Sequence, residues 1–145
     1  MRPIHILLVE DSPGDARLTQ EVFKGAKIRN EITWVDDGEK ALQYLRKQGE
    51  YKAALRPDMV LLDLNMSRKD GREVLQEIKN DHSLKSIPVI ILTTSSAQED
   101  IFKSYQLYAN CYIRKPIDLH EFIDIVKMIE SFWLSIVLLP NVSDS

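Results

Sequence analysis

Five short apolar runs, each followed by apolar residues at helical spacing, narrow what this chain can fold into more than any other feature. The runs are Ile4–Val9, Ile32–Val35, Met59–Leu62, Val89–Leu92 and Cys111–Ile113. Leu18, Val22 and Phe23 mark the first helical stretch, Ala41, Leu42 and Leu45 the second, and Val74, Leu75 and Ile78 the third. Ile101, Tyr105 and Tyr108 mark a fourth, and Phe122, Val126, Ile129 and Trp133 a fifth. Parallel strands need long crossovers, so five βα units in series predict an α/β fold: a doubly wound parallel sheet with helices on both faces. Runs one, three and four are apolar throughout, as central strands are; the second and fifth are shorter and more mixed, which suits edges. Pro13-Gly14, Asp37-Gly38, Arg56-Pro57, Asp70-Gly71 and Ile87-Pro88 punctuate the pattern. One domain is expected over residues 1–145, with a core of about 4–130, a helical extension beyond it and a loose tail from Asn141.

Composition removes several function classes. A formal net charge of −3 argues against direct DNA binding, which calls for a basic footprint. The single cysteine, Cys111, excludes an internal disulfide framework and fits a reducing, cytoplasmic setting. Met1-Arg2-Pro3 runs straight into the first strand, so no signal peptide is expected. The longest uncharged apolar stretch, Ser131 to Leu139, is nine residues, too short to span a bilayer.

In an open α/β sheet, ligands bind beyond the carboxyl ends of the strands. Glu10 and Asp11 follow the first run, Asp63 the third, Thr93 the fourth, and Lys115-Pro116 the fifth. Singly these residues have ordinary readings. Glu10 and Asp11 could be solvated or cap the next helix; Asp63 could form a structural ion pair with Lys115; Thr93 is a common strand residue. Together they bring three carboxylates, one ammonium and one hydroxyl to one edge. Three negative charges against one positive leave −2, which a divalent cation cancels. Oxygen ligands without His or Cys favour Mg²⁺, or Mn²⁺ in its place. A carboxylate beside such an ion can act as a nucleophile and form an aspartyl-phosphate. Lys115 and the Thr93 hydroxyl are suited to the phosphoryl oxygens.

These segments resemble the receiver domains of two-component response regulators. The likeness is carried by Ile6-Leu7-Leu8-Val9-Glu10-Asp11, Leu61-Leu62-Asp63-Leu64-Asn65-Met66, Pro88-Val89-Ile90-Ile91-Leu92-Thr93 and Lys115-Pro116. The resemblance implies a flavodoxin-like fold with strand order 2-1-3-4-5. It implies that Asp63 accepts phosphate from a sensor histidine kinase. Asp11, Asp63 and the Asn65 backbone carbonyl would hold Mg²⁺, with Glu10 helping directly or through water. Lys115 would pair with the phosphoryl group, and Thr93 and Tyr112 would form the conformational switch. Ser67, where many members have Pro, and Thr94, where Ala or Gly is common, depart from the pattern without removing an essential group. Glu10-Asp11-Ser12-Pro13-Gly14-Asp15-Ala16-Arg17-Leu18, Lys69-Asp70-Gly71-Arg72-Glu73-Val74-Leu75 and Phe132-Trp133-Leu134 further resemble the small regulators that partner cyanobacterial and bacterial phytochromes. That would make the kinase a red/far-red photoreceptor.

From Phe122 to Leu139 the chain is apolar nearly all round after Glu130, whereas a helix on a sheet needs only one stripe. The stretch either folds back over its own core or forms an interface. A homodimer through the fifth helix and its extension, with Phe132, Trp133 and Ile136 in the contact, is the expectation. With only twelve residues after Trp133, no output module is expected, and the signal would pass by protein contact rather than by turnover of an external substrate. The alternatives are an aspartate-nucleophile, metal-dependent phosphohydrolase, a flavodoxin-like cofactor binder and an unphosphorylated scaffold. The hydrolase would need an acid where Asn65 stands. The cofactor binder would need a phosphate loop where Glu10-Asp11 would repel one. Intact Asp11, Asp63, Thr93 and Lys115 argue against a mere scaffold.

Overall fold

The structure is a computed structural model that describes residues 3–25, 29–64, 66, 71–93, 111–115, 118, 120–121 and 124, with Thr93 and Cys111 described by their backbone alone. The expected helices around Ile101–Tyr108 and Phe122–Trp133, the proposed interface residues Phe132, Trp133 and Ile136, and Asn65, Ser67, Thr94 and Pro116 lie outside the described residues.

The described elements follow the expected alternation: β1 (Ile4–Val9), α1 (Pro13–Lys24), β2 (Asn30–Val35), α2 (Gly38–Leu45), a 3-10 turn (Gly49–Tyr51), β3 (Met59–Asp63), α3 (Gly71–Asn80), β4 (Val89–Thr93) and β5 (Cys111–Arg114). All strand pairs are parallel, in the order β2-β1-β3-β4-β5, so the two mixed runs do stand at the edges. The second strand starts at Asn30, two residues earlier than its apolar run, because β1 pairs with it along its whole length, from Ile4↔Asn30 to Val9↔Val35.

Alternation along the strands divides the core in two. Leu7, Val9, Val60, Leu62, Val89 and Ile91 pack with α2 and α3, through Ala41, Leu42, Leu45, Val74, Leu75 and Ile78. Ile6, Leu8, Met59, Leu61, Ile90, Leu92 and Ile113 pack with α1, through Ala16 and Phe23. Helices therefore cover both faces, as a parallel sheet requires.

The first helix corrects the sequence reading. Leu18 is exposed and Val22 only partly buried; the buried stripe is Ala16, Thr19 and Phe23. Positions 16, 19 and 23 share one helix face, and Leu18 lies roughly 200° round from Ala16. The small Ala16 and polar Thr19 hid the true face from a pattern built on large apolar residues. Three of the punctuation pairs also prove to be helix starts, Gly71 being the first residue of α3. Pro13 stands in the first turn of α1 behind the Ser12 cap, and Asp37 caps α2 with its carboxylate on the Lys40 N–H at 2.8 Å.

The amino edge of the sheet also carries buried polar groups. The Asp58 carboxylate accepts from the His5 N–H at 2.8 Å, and the Asp58 N–H donates to the His5 carbonyl at 2.7 Å. His5 Nε2 lies 3.0 Å from Thr33 Oγ1 and 3.1 Å from Tyr44 Oη. Among the described residues, no helix is long and apolar enough to cross a membrane.

Candidate functional site

Register brings the predicted residues together. Val9 pairs with Leu62, Asp63 with Leu92, and Thr93 with Arg114, so Glu10, Asp63, Thr93 and Lys115 end neighbouring strands on one edge. Glu10 and Asp63 continue the strand faces that pack on α1, while Asp11 follows where the chain turns into that helix. Glu10 neither caps α1 nor is solvated. Ser12 is the cap, accepting from the Asp15 N–H at 3.3 Å, and Glu10 is fully buried.

Glu10, Asp11 and Asp63 each bring a carboxylate oxygen within 4.8 Å of the others. Glu10 and Asp63 are buried, and Asp11 is half-buried at the mouth. Lys115 Nζ lies 2.6 Å from Glu10 Oε1 and 3.2 Å from Asp63 Oδ1. The ion pair foreseen for Asp63 is therefore present, but it is part of a cluster and not an isolated pair.

Electrostatics mark this cluster as under-compensated. Burial pushes the Glu10 carboxyl up to about 7, and its hydrogen bond with Asp63 adds to the rise, while Lys115 pulls it back. Burial alone would lower the Lys115 pKa. The hydrogen bond to Glu10, the charges of Asp63 and Glu10, and a bond to Asp15 outweigh it, so the ammonium is held charged. One ammonium among three close carboxylates leaves negative charge that a cation would neutralise. The donor set, all hard oxygens with one ligand facing solvent, fits a divalent ion of the Mg²⁺ or Mn²⁺ kind.

Three further residues shape the site and escaped the sequence reading. Trp34 Nε1 donates to the Glu10 carbonyl at 2.7 Å, fixing the backbone where it leaves β1. Gly71 packs so closely under β3 that a Cβ there would lie 2.7 Å from the Asp63 carbonyl oxygen; its sequence signal was the Asp70-Gly71 pair, read only as punctuation. Asp15, in the first turn of α1, reaches Lys115 Nζ with its Oδ2 at 3.2 Å. No local pattern shows that contact, since it joins residues 100 apart. Tyr112 is half-buried against the core on the α2/α3 side of β5. Thr93 occupies the end of β4, and its side chain lies outside the description.

Comparison with known proteins points the same way as the geometry. The family model described as response regulator receiver domain matches residues 6–127. The response regulator Rcp1 of Synechocystis sp. is 51% identical over 138 residues, covering 95% of this chain and 94% of that protein. Among solved structures, the phosphorylated cyanobacterial phytochrome response regulator RcpA is 52% identical with a TM-score of 0.74, covering 92% of this chain and 96% of that one. The Mn²⁺-bound form of Rcp1 is 50% identical with a TM-score of 0.72, over 93% and 97% of the two chains. The bacteriophytochrome response regulator AtBRR is 37% identical with a TM-score of 0.84, over 92% and 96%. These likenesses favour a phospho-receiver over the hydrolase alternative.

Proposed function

The chain belongs to the response regulator receiver family, and on that footing we propose that Asp63 accepts a phosphoryl group from the phosphohistidine of a sensor kinase in a Mg²⁺-dependent step. One observation carries the reading. A buried aspartate ends the central strand with an ammonium 3.2 Å away and two further carboxylates close enough to share a cation. In the reaction an Asp63 oxygen attacks phosphorus, and the new O–P bond forms as the donor's P–N bond breaks. The electron pair of that bond stays on the imidazole nitrogen, which takes up a proton.

Glu10, Asp11 and Asp63, with the Asn65 carbonyl, would hold the metal, which when bound neutralises the carboxylates and the charge on the phosphoryl oxygens. Lys115 supplies an N–H and a positive charge to one of those oxygens. Gly71 keeps the backbone under Asp63 in place, and the Trp34 bond does the same for Glu10. Thr93 and Tyr112 act as the switch that reports the modification on the β4–β5 side. The chain carries no turnover chemistry on an outside substrate in this reading; its output is a changed protein contact.

Similarity to regulators named for phytochromes supports a phytochrome-type kinase as the phosphoryl donor, and the lone cysteine supports a reducing, cytoplasmic setting. The apolar run through Phe132, Trp133 and Ile136 supports a homodimer. Incubation with acetyl phosphate and Mg²⁺ should add one phosphoryl group to the intact mass of the wild type and none to Asp63→Asn. A labelled mutant would move the acceptor elsewhere. Trp133→Ala should lower the mass at sedimentation equilibrium, and an unchanged mass would reject that residue as an anchor.

A further inference from the structure

Lys115 Nζ lies within 3.2 Å of a carboxylate oxygen of each of Glu10, Asp15 and Asp63, and the three partners are not equivalent. The side chains of Glu10 and Asp63 are 0% and 2% exposed, whereas that of Asp15 is 47% exposed. Taking Lys115 from a buried carboxylate strands a charge away from water; taking it from Asp15 lets water replace it at little cost. Asp15 reaches the ammonium from the first turn of α1, a different element from the strand ends that carry Glu10 and Asp63.

We propose that Asp15 is a positioning residue for Lys115: it draws the ammonium off Glu10 and Asp63 while the cation binds, and gives up its N–H when a phosphoryl oxygen arrives. The inference deepens the phosphoacceptor reading and, in its second half, rests on it. Its two halves act in opposite directions. Without the Asp15 charge, Lys115 leans harder on Glu10 and Asp63 and competes with the metal, so cation affinity falls. With metal saturating, Lys115 no longer has to leave Asp15 before it meets the phosphoryl group, so the transfer quickens. A residue that merely supported the fold would lower both.

The test uses the full chain and its Asp15→Asn, Lys115→Met and double variants. Mn²⁺ binding is read from the electron paramagnetic resonance signal of the free ion, and phosphorylation from the intact mass with acetyl phosphate at saturating Mn²⁺. Asp15→Asn should raise the Mn²⁺ dissociation constant roughly fivefold, the scale of a half-exposed ion pair. In the Lys115→Met background the same change should matter less than about twofold, because the coupling runs through the ammonium. Asp15→Asn should also raise the initial phosphorylation rate roughly fivefold. An unchanged dissociation constant, the same factor in both backgrounds, or a slower transfer would overturn the proposal. The rate arm needs no Lys115 variant, so it decides by itself if Lys115→Met does not fold. A wild type that binds Mn²⁺ but takes up no phosphate would overturn the phosphoacceptor reading instead, leaving the metal arm to decide the role of Asp15.

Discussion

The two edges of the sheet each bury a strand-associated aspartate, and they treat it differently. At the amino edge, Asp58 is locked to His5 through a two-way backbone exchange, its carboxylate accepting from one N–H while its own N–H donates to the same residue's carbonyl. At the carboxyl edge, Asp63 sits beside Glu10 and Asp11 and shares one lysine with Glu10. Asp58 meets a fixed dipole that suits its charge. Asp63 meets like charges, and Glu10 beside it is driven toward its protonated form. The first arrangement holds a loop to a strand; the second stores a need for positive charge, the mark of a site that does chemistry.

The sharpest way to break this contrast is to remove the ammonium. Lys115→Met should destabilise the metal-free protein by about 3 kcal/mol at neutral pH, because it strands buried carboxylates. Mg²⁺ should return most of that loss in urea denaturation. Equal loss with and without Mg²⁺ would show that the cluster does not respond to a cation.

Protonation probes the same edge with an effect of similar size. The Glu10 carboxyl is raised from its ordinary 4.5 to about 7, so between these values the folded chain binds more protons than the unfolded one. Its contribution to stability is full below 4.5 and lost as pH rises through 7, a swing of about 3 kcal/mol in metal-free buffer. Saturating Mg²⁺ should flatten that slope. A metal-free stability that rises across the window would contradict the crowding of charge at Glu10.

Asp58→Ala tests the other edge. It leaves the His5 N–H unsatisfied and should cost about 2 kcal/mol, with no dependence on Mg²⁺ and no change in phosphorylation. Gly71→Ala should also cost about 2 kcal/mol, because its Cβ would lie 2.7 Å from the Asp63 carbonyl oxygen and the backbone must shift, and it should slow phosphorylation by moving that carbonyl. Thermal melts beside an acetyl phosphate time course separate the two effects.

Which strands are central and which are edges, and the charged edge itself, were legible in the sequence because central parallel strands are apolar until they stop, and Glu10, Asp63 and Lys115 stand where three runs stop; the full strand order came from the family resemblance. The face of α1 was not legible. Its buried stripe is built from Ala16 and Thr19, and the large Leu18 points outward. The contributions of Asp15, Trp34 and Gly71 were hidden for another reason. Each depends on contact between elements: the first turn of α1 with Lys115, the edge strand with the Glu10 carbonyl, the start of α3 with the Asp63 carbonyl. Hydrophobic periodicity reports which side of an element is buried, and it carries no record of which polar atom lies across from which.

Locating the phosphoryl group by residue tests the account most directly. Borohydride reduces an aspartyl-phosphate to homoserine, which peptide mass spectrometry reads at a single position. After treatment with acetyl phosphate, homoserine should appear at position 63 with Mg²⁺ present and nowhere without it. Homoserine at position 58, at position 11, or at position 63 regardless of Mg²⁺ would contradict the division between the two edges.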